Sequence, residues 1–327
     1  DCGSFVVTSG GGLLKFIKKD KVKVFRLPVH SKNPFLIIFN SLILSLYIFI
    51  FKINIIHARS RAPAWSCYLA SFLTRRVFVT TFHGTYNFKS NIKKFYNSIM
   101  RRAKLTIAGS NFIFSHINEN YNEYLSKEKK LRVIYRGINI DYYNLKNISI
   151  LKQEKLKKEW NLSSTKFTIL LPGRLTYWKG QEKFIESLNI LIEDYNVNNF
   201  QAIILGSDQG RKVYSKKLIN LVERYNLNKK IKFIEHCKEM PLAYSLSDVV
   251  VSTSIEPEAF GRISVEAQSM GKPIIASNIG GSKETVINKK TGLLYKYDDP
   301  RELAKCLNAV IQLSPDELKS MGNEGRK

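Results

Sequence analysis

Short runs rich in Val, Ile and Phe recur along this chain, and amphipathic stretches with helical spacing separate most of them. In the first half the runs are Phe5–Ser9, Val22–Leu27, Ile53–Arg59, Val77–Phe82, Leu105–Gly109 and Val133–Tyr135, with helical stretches such as Pro63–Leu73 and Lys93–Ala103 between them. In the second half they are Phe167–Leu171, Ala202–Leu205, Ile231–Ile234, Val249–Ser252 and Pro273–Ser277. A strand–helix alternation of this kind predicts an α/β fold with parallel sheets covered on both faces. A polar stretch, Asn139–Ser149, breaks the rhythm, and a Lys/Glu-rich helix over Ile150–Trp160 restarts it. The parse is two doubly wound Rossmann-like domains, 1–145 and 146–327, with a cleft between them. Ligands of such sheets bind at the carboxyl ends of strands.

Composition narrows the class. At 44% hydrophobic residues the chain can build sizeable cores, which argues against wholesale disorder. Cys2, Cys67, Cys237 and Cys306 stand far apart without metal-ligand spacing, which reads as reduced thiols in a cytoplasmic protein. The chain opens at Asp1 with no signal-peptide pattern and stops inside a helix-like stretch, Ser314–Lys327. That reads as a fragment at both ends. Residues 1–145 hold 23 Lys/Arg against 6 Asp/Glu, or +17, and residues 146–327 hold 29 against 21, or +8. The basic first half suits an anionic partner such as a membrane surface or a phosphorylated acceptor. Nucleic acid is disfavoured, because no RNA-binding pattern of interleaved aromatic residues appears. Phe35–Phe51 is uncharged over 17 residues. Polar interruptions at Asn40, Ser41 and Ser45 favour a buried or membrane-surface helix over a span.

Four stretches carry chemistry. In Ser252–Gly271, Glu258 and Glu266 flank Ala259–Phe260–Gly261 at the start of a helix running to Met270. Helix-end amides there suit a diphosphate, Glu258 can face a sugar, and Glu266 can accept from ribose hydroxyls. In Leu171–Gln181, Arg174 and Lys179 follow a strand and can neutralise a diphosphate leaving group. In Ser277–Thr285, Gly280–Gly281 precede Glu284 and suit a loop over a sugar or phosphate. In Thr80–Asn87, His83 ends a strand of the first domain.

Together these stretches resemble the family 4 retaining glycosyltransferases of the GT-B fold, over essentially the whole chain. SKNP at Ser31–Pro34, HARSRAPAW at His57–Trp65, RGINIDYY at Arg136–Tyr143 and GSDQGR at Gly206–Arg211 add to the likeness. The resemblance implies that Glu258 lies beside the donor sugar, Glu266 on the ribose, Arg174 and Lys179 on the diphosphate with the Phe260 and Gly261 amides, and His83 near the reacting carbon. The family's opening strand and Gly-rich loop have no counterpart, since Gly10–Gly12 follows what looks like the second strand.

The implied reaction is retaining transfer from a nucleotide-diphosphate sugar. No metal or cofactor is expected, because no Asp-x-Asp pair at a strand end is found and Asp298–Asp299–Pro300 reads as a turn. The acceptor is expected on the first domain and is read as a glycan or lipid-linked molecule such as lipopolysaccharide core. His57, Arg59 and Arg61 are the candidate contacts. Six basic residues among Phe95, Tyr96, Ile99 and Met100 make Lys89–Lys104 a candidate membrane-surface helix, placing the protein at the inner face of the membrane. The alternative is a non-catalytic nucleotide-sugar or anionic-ligand binding protein on the same fold.

Overall fold

The computed structural model describes residues 3–17, 20–124 and 130–327, so Cys2 lies outside the described residues. The chain divides into two compact units, Asp1–Tyr135 and Arg136–Lys327. This boundary lies upstream of the one read from the sequence. Residues 136–145 pack with the second unit, where Tyr143 is buried in the core.

In the first unit, β1 (Ser4–Thr8) and β2 (Val22–Arg26) form a parallel pair. Helix α1 (Pro34–Ile50) follows. The Asn33 side chain accepts from the Phe35 amide at 2.9 Å and Pro34 occupies the first turn, an arrangement that starts a helix at little cost. Then come β3 (Ile55–Ala58), α2 (Arg61–Thr74), β4 (Val77–Phe82), α3 (Asn91–Ser98), β5 (Leu105–Ala108), α4 (Asn111–Tyr121) and β6 (Lys130–Val133). Strands β3 to β6 make a four-stranded parallel sheet in sequence order.

Two first-unit expectations are corrected. The last strand is Lys130–Val133, upstream of Val133–Tyr135. The helix expected over Lys93–Ala103 ends at Ser98 and tightens into a 3-10 turn, Ile99–Arg101, whose three residues are buried. Ile99 and Met100 therefore face the core, so the basic stretch 89–104 cannot present them to a membrane.

The second unit contains α5 (Ile150–Glu159), β7 (Phe167–Pro172), α6 (Gln181–Glu193), β8 (Phe200–Leu205), α7 (Lys212–Arg224), β9 (Ile231–Ile234), α8 (Met240–Ser245), β10 (Val249–Ser252), α9 (Arg262–Ser269), β11 (Ile274–Ser277), α10 (Ser282–Thr285), β12 (Gly292–Tyr295), α11 (Pro300–Ile311) and α12 (Pro315–Arg326). Its six parallel strands run β12-β11-β10-β7-β8-β9. Side chains alternate across the sheet with period two. Ile169, Leu171, Ala202, Ile204, Val249, Val251 and Ile275 join a core with α6, α7 and α11. Their neighbours Leu170, Ile203, Leu205, Val250, Ile274 and Ala276 join a second core with α8, α9 and Trp160. Both faces are covered, which is why these strands read as continuous apolar runs. The order reverses between β7 and β10, and a crevice opens at the carboxyl ends of strands at such a switch point.

Candidate active site

The loops leaving β7 and β10 meet at this switch point. After β7 the chain makes a 3-10 turn, Tyr177–Lys179, and Gly180 (φ 68°) starts α6. A Cβ on Gly180 would sit 2.0 Å from the Thr253 carbonyl oxygen, so only glycine lets the two loops approach. Thr253 Oγ1 donates to the Lys179 carbonyl at 2.7 Å, and the Ile255 amide donates to the Trp178 carbonyl at 2.9 Å. The result is an ion pair. Lys179 Nζ donates to Glu258 Oε1 at 2.6 Å, with both side chains 12% exposed. Ser254 Oγ donates to the same carboxylate oxygen. Lys179 also stands over the Trp178 ring at 4.5 Å, and the exposed Arg174 guanidinium approaches that ring at 5.8 Å. Two cations and an acid thus share one rim of the crevice, where they can bind an anionic group and orient a neighbour of it.

Gly280 and Gly281 brace this rim from below. The Gly281 amide donates to the Glu258 carbonyl at 2.8 Å. Added Cβ atoms would meet the Glu258 backbone within 2.8 Å and the Phe260 backbone within 2.7 Å. The pair is thus needed for close backbone packing against 258–260. Glu284 lies in the short α10 that follows. The helix expected from Ala259 begins only at Arg262. Gly261 caps it at φ 78° and Phe260 is buried.

Glu266 is held on two sides. Arg262 Nε donates to Oε1 at 2.7 Å, and Tyr244 OH donates to Oε2 at 2.8 Å. Burial and the Glu266 charge push the Tyr244 and Tyr143 hydroxyls well above the usual phenol range, so both remain protonated donors. Sequence reasoning missed Tyr244, Tyr143, Ser254, Trp178 and Arg262. Of these, Arg262 was within reach, since an Arg four residues before a Glu on a helix faces it.

In the first unit, the ends of β3 and β4 gather His57, Arg59 and His83. Arg59 Nε donates to His83 Nε2 at 2.9 Å, which leaves the ring proton of neutral His83 on Nδ1. His57 Nε2 bonds Thr81 Oγ1 at 2.8 Å. Burial, then the Arg59 charge, lowers the His57 pKa from its ordinary value. Arg61 is turned away from this group. It donates to Asn97 Oδ1 at 2.7 Å and lies 4.6 Å from the Tyr86 ring centroid.

Residues 152–327 match the family described as Glycosyl transferases group 1, and residues 4–142 match Glycosyltransferase Family 4. The chain belongs to the group 1 glycosyltransferases. A glycosyltransferase of solved structure from Rickettsia africae ESF-5 is 35% identical to it, with a TM-score of 0.89 over 98% of this chain and 83% of that one. HepE from Anabaena, solved in complex with UDP and glucose, is 24% identical, with a TM-score of 0.81 over 98% of this chain and 85% of that one. Its likeness shows that this group 1 glycosyltransferase has the α/β GT-B fold. A capsular polysaccharide biosynthesis glycosyltransferase from Staphylococcus aureus, CapM, is 28% identical over 62% of this chain and 51% of that protein. The match thus spans about half the length of that relative, and 45% of another curated one.

Proposed function

We propose that this group 1 glycosyltransferase moves a sugar, with retention of anomeric configuration and without a metal, from a nucleotide-diphosphate sugar to a glycan or lipid-linked acceptor. The observation that carries the reading is the Lys179–Glu258 pair beside Arg174 at the switch point of the six-stranded sheet. In this reading Lys179 and Arg174 meet the charge that grows on the departing diphosphate, and electrostatic stabilisation of that kind is a large catalytic contribution. The Phe260 and Gly261 amides, in the turn that leads into α9, would meet the same diphosphate. Glu258 orients the sugar, and Glu266, already fixed by Arg262 and Tyr244, accepts from the ribose. Glu284 and the Gly280–Gly281 turn complete the donor side. His83 serves the reacting carbon, and His57 and Arg59 the acceptor. UDP is the first donor nucleotide to try, because HepE, which shares the fold, was solved with UDP and glucose. CapM, named for capsular polysaccharide biosynthesis, supports a cell-surface glycan as the acceptor; a lipid-linked molecule such as lipopolysaccharide core is the form read from the basic first half of the sequence. The protein would then work in the cytoplasm against the inner membrane surface.

The reading is tested by titrating UDP, GDP and ADP, and their sugars, into the wild type and Lys179→Ala by calorimetry. One diphosphate binding to the wild type, and about thirtyfold more weakly to the variant, supports it. No binding to a folded wild-type chain rejects the donor site. The anomeric proton coupling of a product formed in EDTA tests retention and metal independence together.

A further inference from the structure

Helix α1 buries two polar and two apolar residues and turns most of its large apolar side chains outward. Its buried positions are Asn40, Ser41, Leu44 and Ile48, whereas Phe35, Ile38, Phe39, Leu42, Leu46, Phe49 and Ile50 are exposed, Phe35 and Phe49 at 82%. At 100° per residue the exposed set occupies a stripe about 120° wide on the side opposite Leu44 and Ile48. The inner face is engaged: Asn40 Nδ2 donates to the Pro28 carbonyl at 3.2 Å. Among the described residues nothing covers the outer stripe, and a continuous apolar face toward water marks a site of interaction. Helix α2, which packs on α1, also carries exposed Phe72 and Leu73. Both helices deliver the chain to strand starts that are register partners, Ile55 and Val77. Their C-terminal ends are therefore neighbours, and the exposed Lys52, Arg75 and Arg76 follow those ends.

Charge identifies the occupant. Residues 21–118 contain 15 Lys/Arg and no Asp or Glu. A second copy would bring these cations face to face with no carboxylate to meet them. A nucleic-acid backbone offers nothing to a stripe of Phe, Leu and Ile. An anionic bilayer satisfies both parts at once. No helix among the described residues is long and apolar enough to cross a membrane, and α1, about 25 Å long at 1.5 Å per residue, is short of the roughly 30 Å hydrocarbon core.

We propose that the α1 stripe lies in the surface of an anionic phospholipid bilayer, sunk to the headgroup–acyl boundary, with Lys52, Arg75 and Arg76 on lipid phosphates. The proposal builds on the membrane-side acceptor reading above; it drops residues 89–104 from the lipid contact and decides for α1 between the buried and the membrane-surface helix that the sequence left open. It is tested by co-sedimentation with phosphatidylcholine vesicles, with and without phosphatidylglycerol. The wild type is expected to bind the anionic vesicles at least tenfold more tightly than the neutral ones, and less tightly at high salt. A Leu42→Glu, Leu46→Glu variant is expected to lose most of that binding while keeping its melting temperature. Arg75→Gln with Arg76→Gln is expected to weaken only the anionic preference, by about tenfold or more. The proposal is overturned if the glutamate variant binds like the wild type, if the wild type binds neither vesicle, or if sedimentation velocity shows a wild-type dimer that the glutamates split. Calorimetric titration of UDP into the same preparations reads the donor site separately, so loss of one property is distinguishable from loss of the other.

Discussion

Lys179 Nζ and Glu258 Oε1 lie 2.6 Å apart although 79 positions of sequence separate the two residues. Neither is deeply buried, and each fixes the position of the other. The pair thereby ties the loop after β7 to the loop after β10 at the rim of the crevice.

This coupling can be measured. Lys179→Ala and Glu258→Gln should each destabilise the fold by about 1–3 kcal/mol, below the cost of breaking a fully buried pair because solvent still reaches it. In a double-mutant cycle the two losses should fall short of additivity by 0.5 kcal/mol or more. Strict additivity in urea denaturation would show the pair to be energetically idle.

Gly180 offers a sharper steric test. Gly180→Ala places a Cβ 2.0 Å from a backbone oxygen at φ 68°. We expect a loss of about 2 kcal/mol or more, from strain and from displacement of the Thr253 loop. Gly210→Ala is the control, since φ is 83° but nothing lies within 4 Å of the added atom. Its cost should stay near 1–2 kcal/mol, the price of a left-handed residue alone. Equal midpoints for the two variants would contradict the close approach at Gly180.

Tyr244→Phe removes one donor from Glu266 and keeps the ring. It should cost about 1–2 kcal/mol in stability, because a buried carboxylate oxygen loses its partner. If Glu266 meets the ribose, nucleotide affinity should also fall severalfold. Loss of stability with unchanged affinity would confine the tyrosine to a structural role.

Much of this fold was legible because parallel strands buried on both faces carry unbroken apolar runs. Val77–Phe82, Ile231–Ile234 and Val249–Ser252 have the ends read from the sequence. Strand β12, Gly292–Tyr295, was not legible, since a Gly followed by two Leu has none of the β-branched character that marks a strand. The glycines at 280 and 281 show a further limit. Sequence reveals that a small residue is present, and only packing shows that it serves the Glu258–Phe260 backbone. Arg61 shows the same limit, because nothing local tells that its guanidinium turns to Asn97 on a distant helix.

Two histidines set a pH dependence. Burial lowers the pKa of His116, partly offset by the Glu119 charge, and His116 Nε2 accepts from the Tyr86 amide at 3.2 Å, a bond that needs the unprotonated nitrogen. His57 is lowered as well. Below the ordinary histidine value of 6.5 the unfolded chain binds these protons more readily than the folded one, so stability must fall as pH falls. Melting temperature should drop between pH 7 and pH 5, and His116→Gln should flatten the slope. A profile that is level across that window would refute the assignment.

The strand order also has a kinetic meaning. Val249 pairs with Ile169, yet β8 and β9 are made between them, so during synthesis the centre of the sheet can close only after the residues of its outer half have been added. Such long-range parallel pairing is slow to form. A chain synthesised as far as β9 would carry Arg174 and Lys179 on a half-sheet with an open β7 edge and no acid opposite. The crevice comes into being with the last central pairing, and protection of the chain by a bound nucleotide would therefore time the completion of the sheet and be blind to its earlier stages.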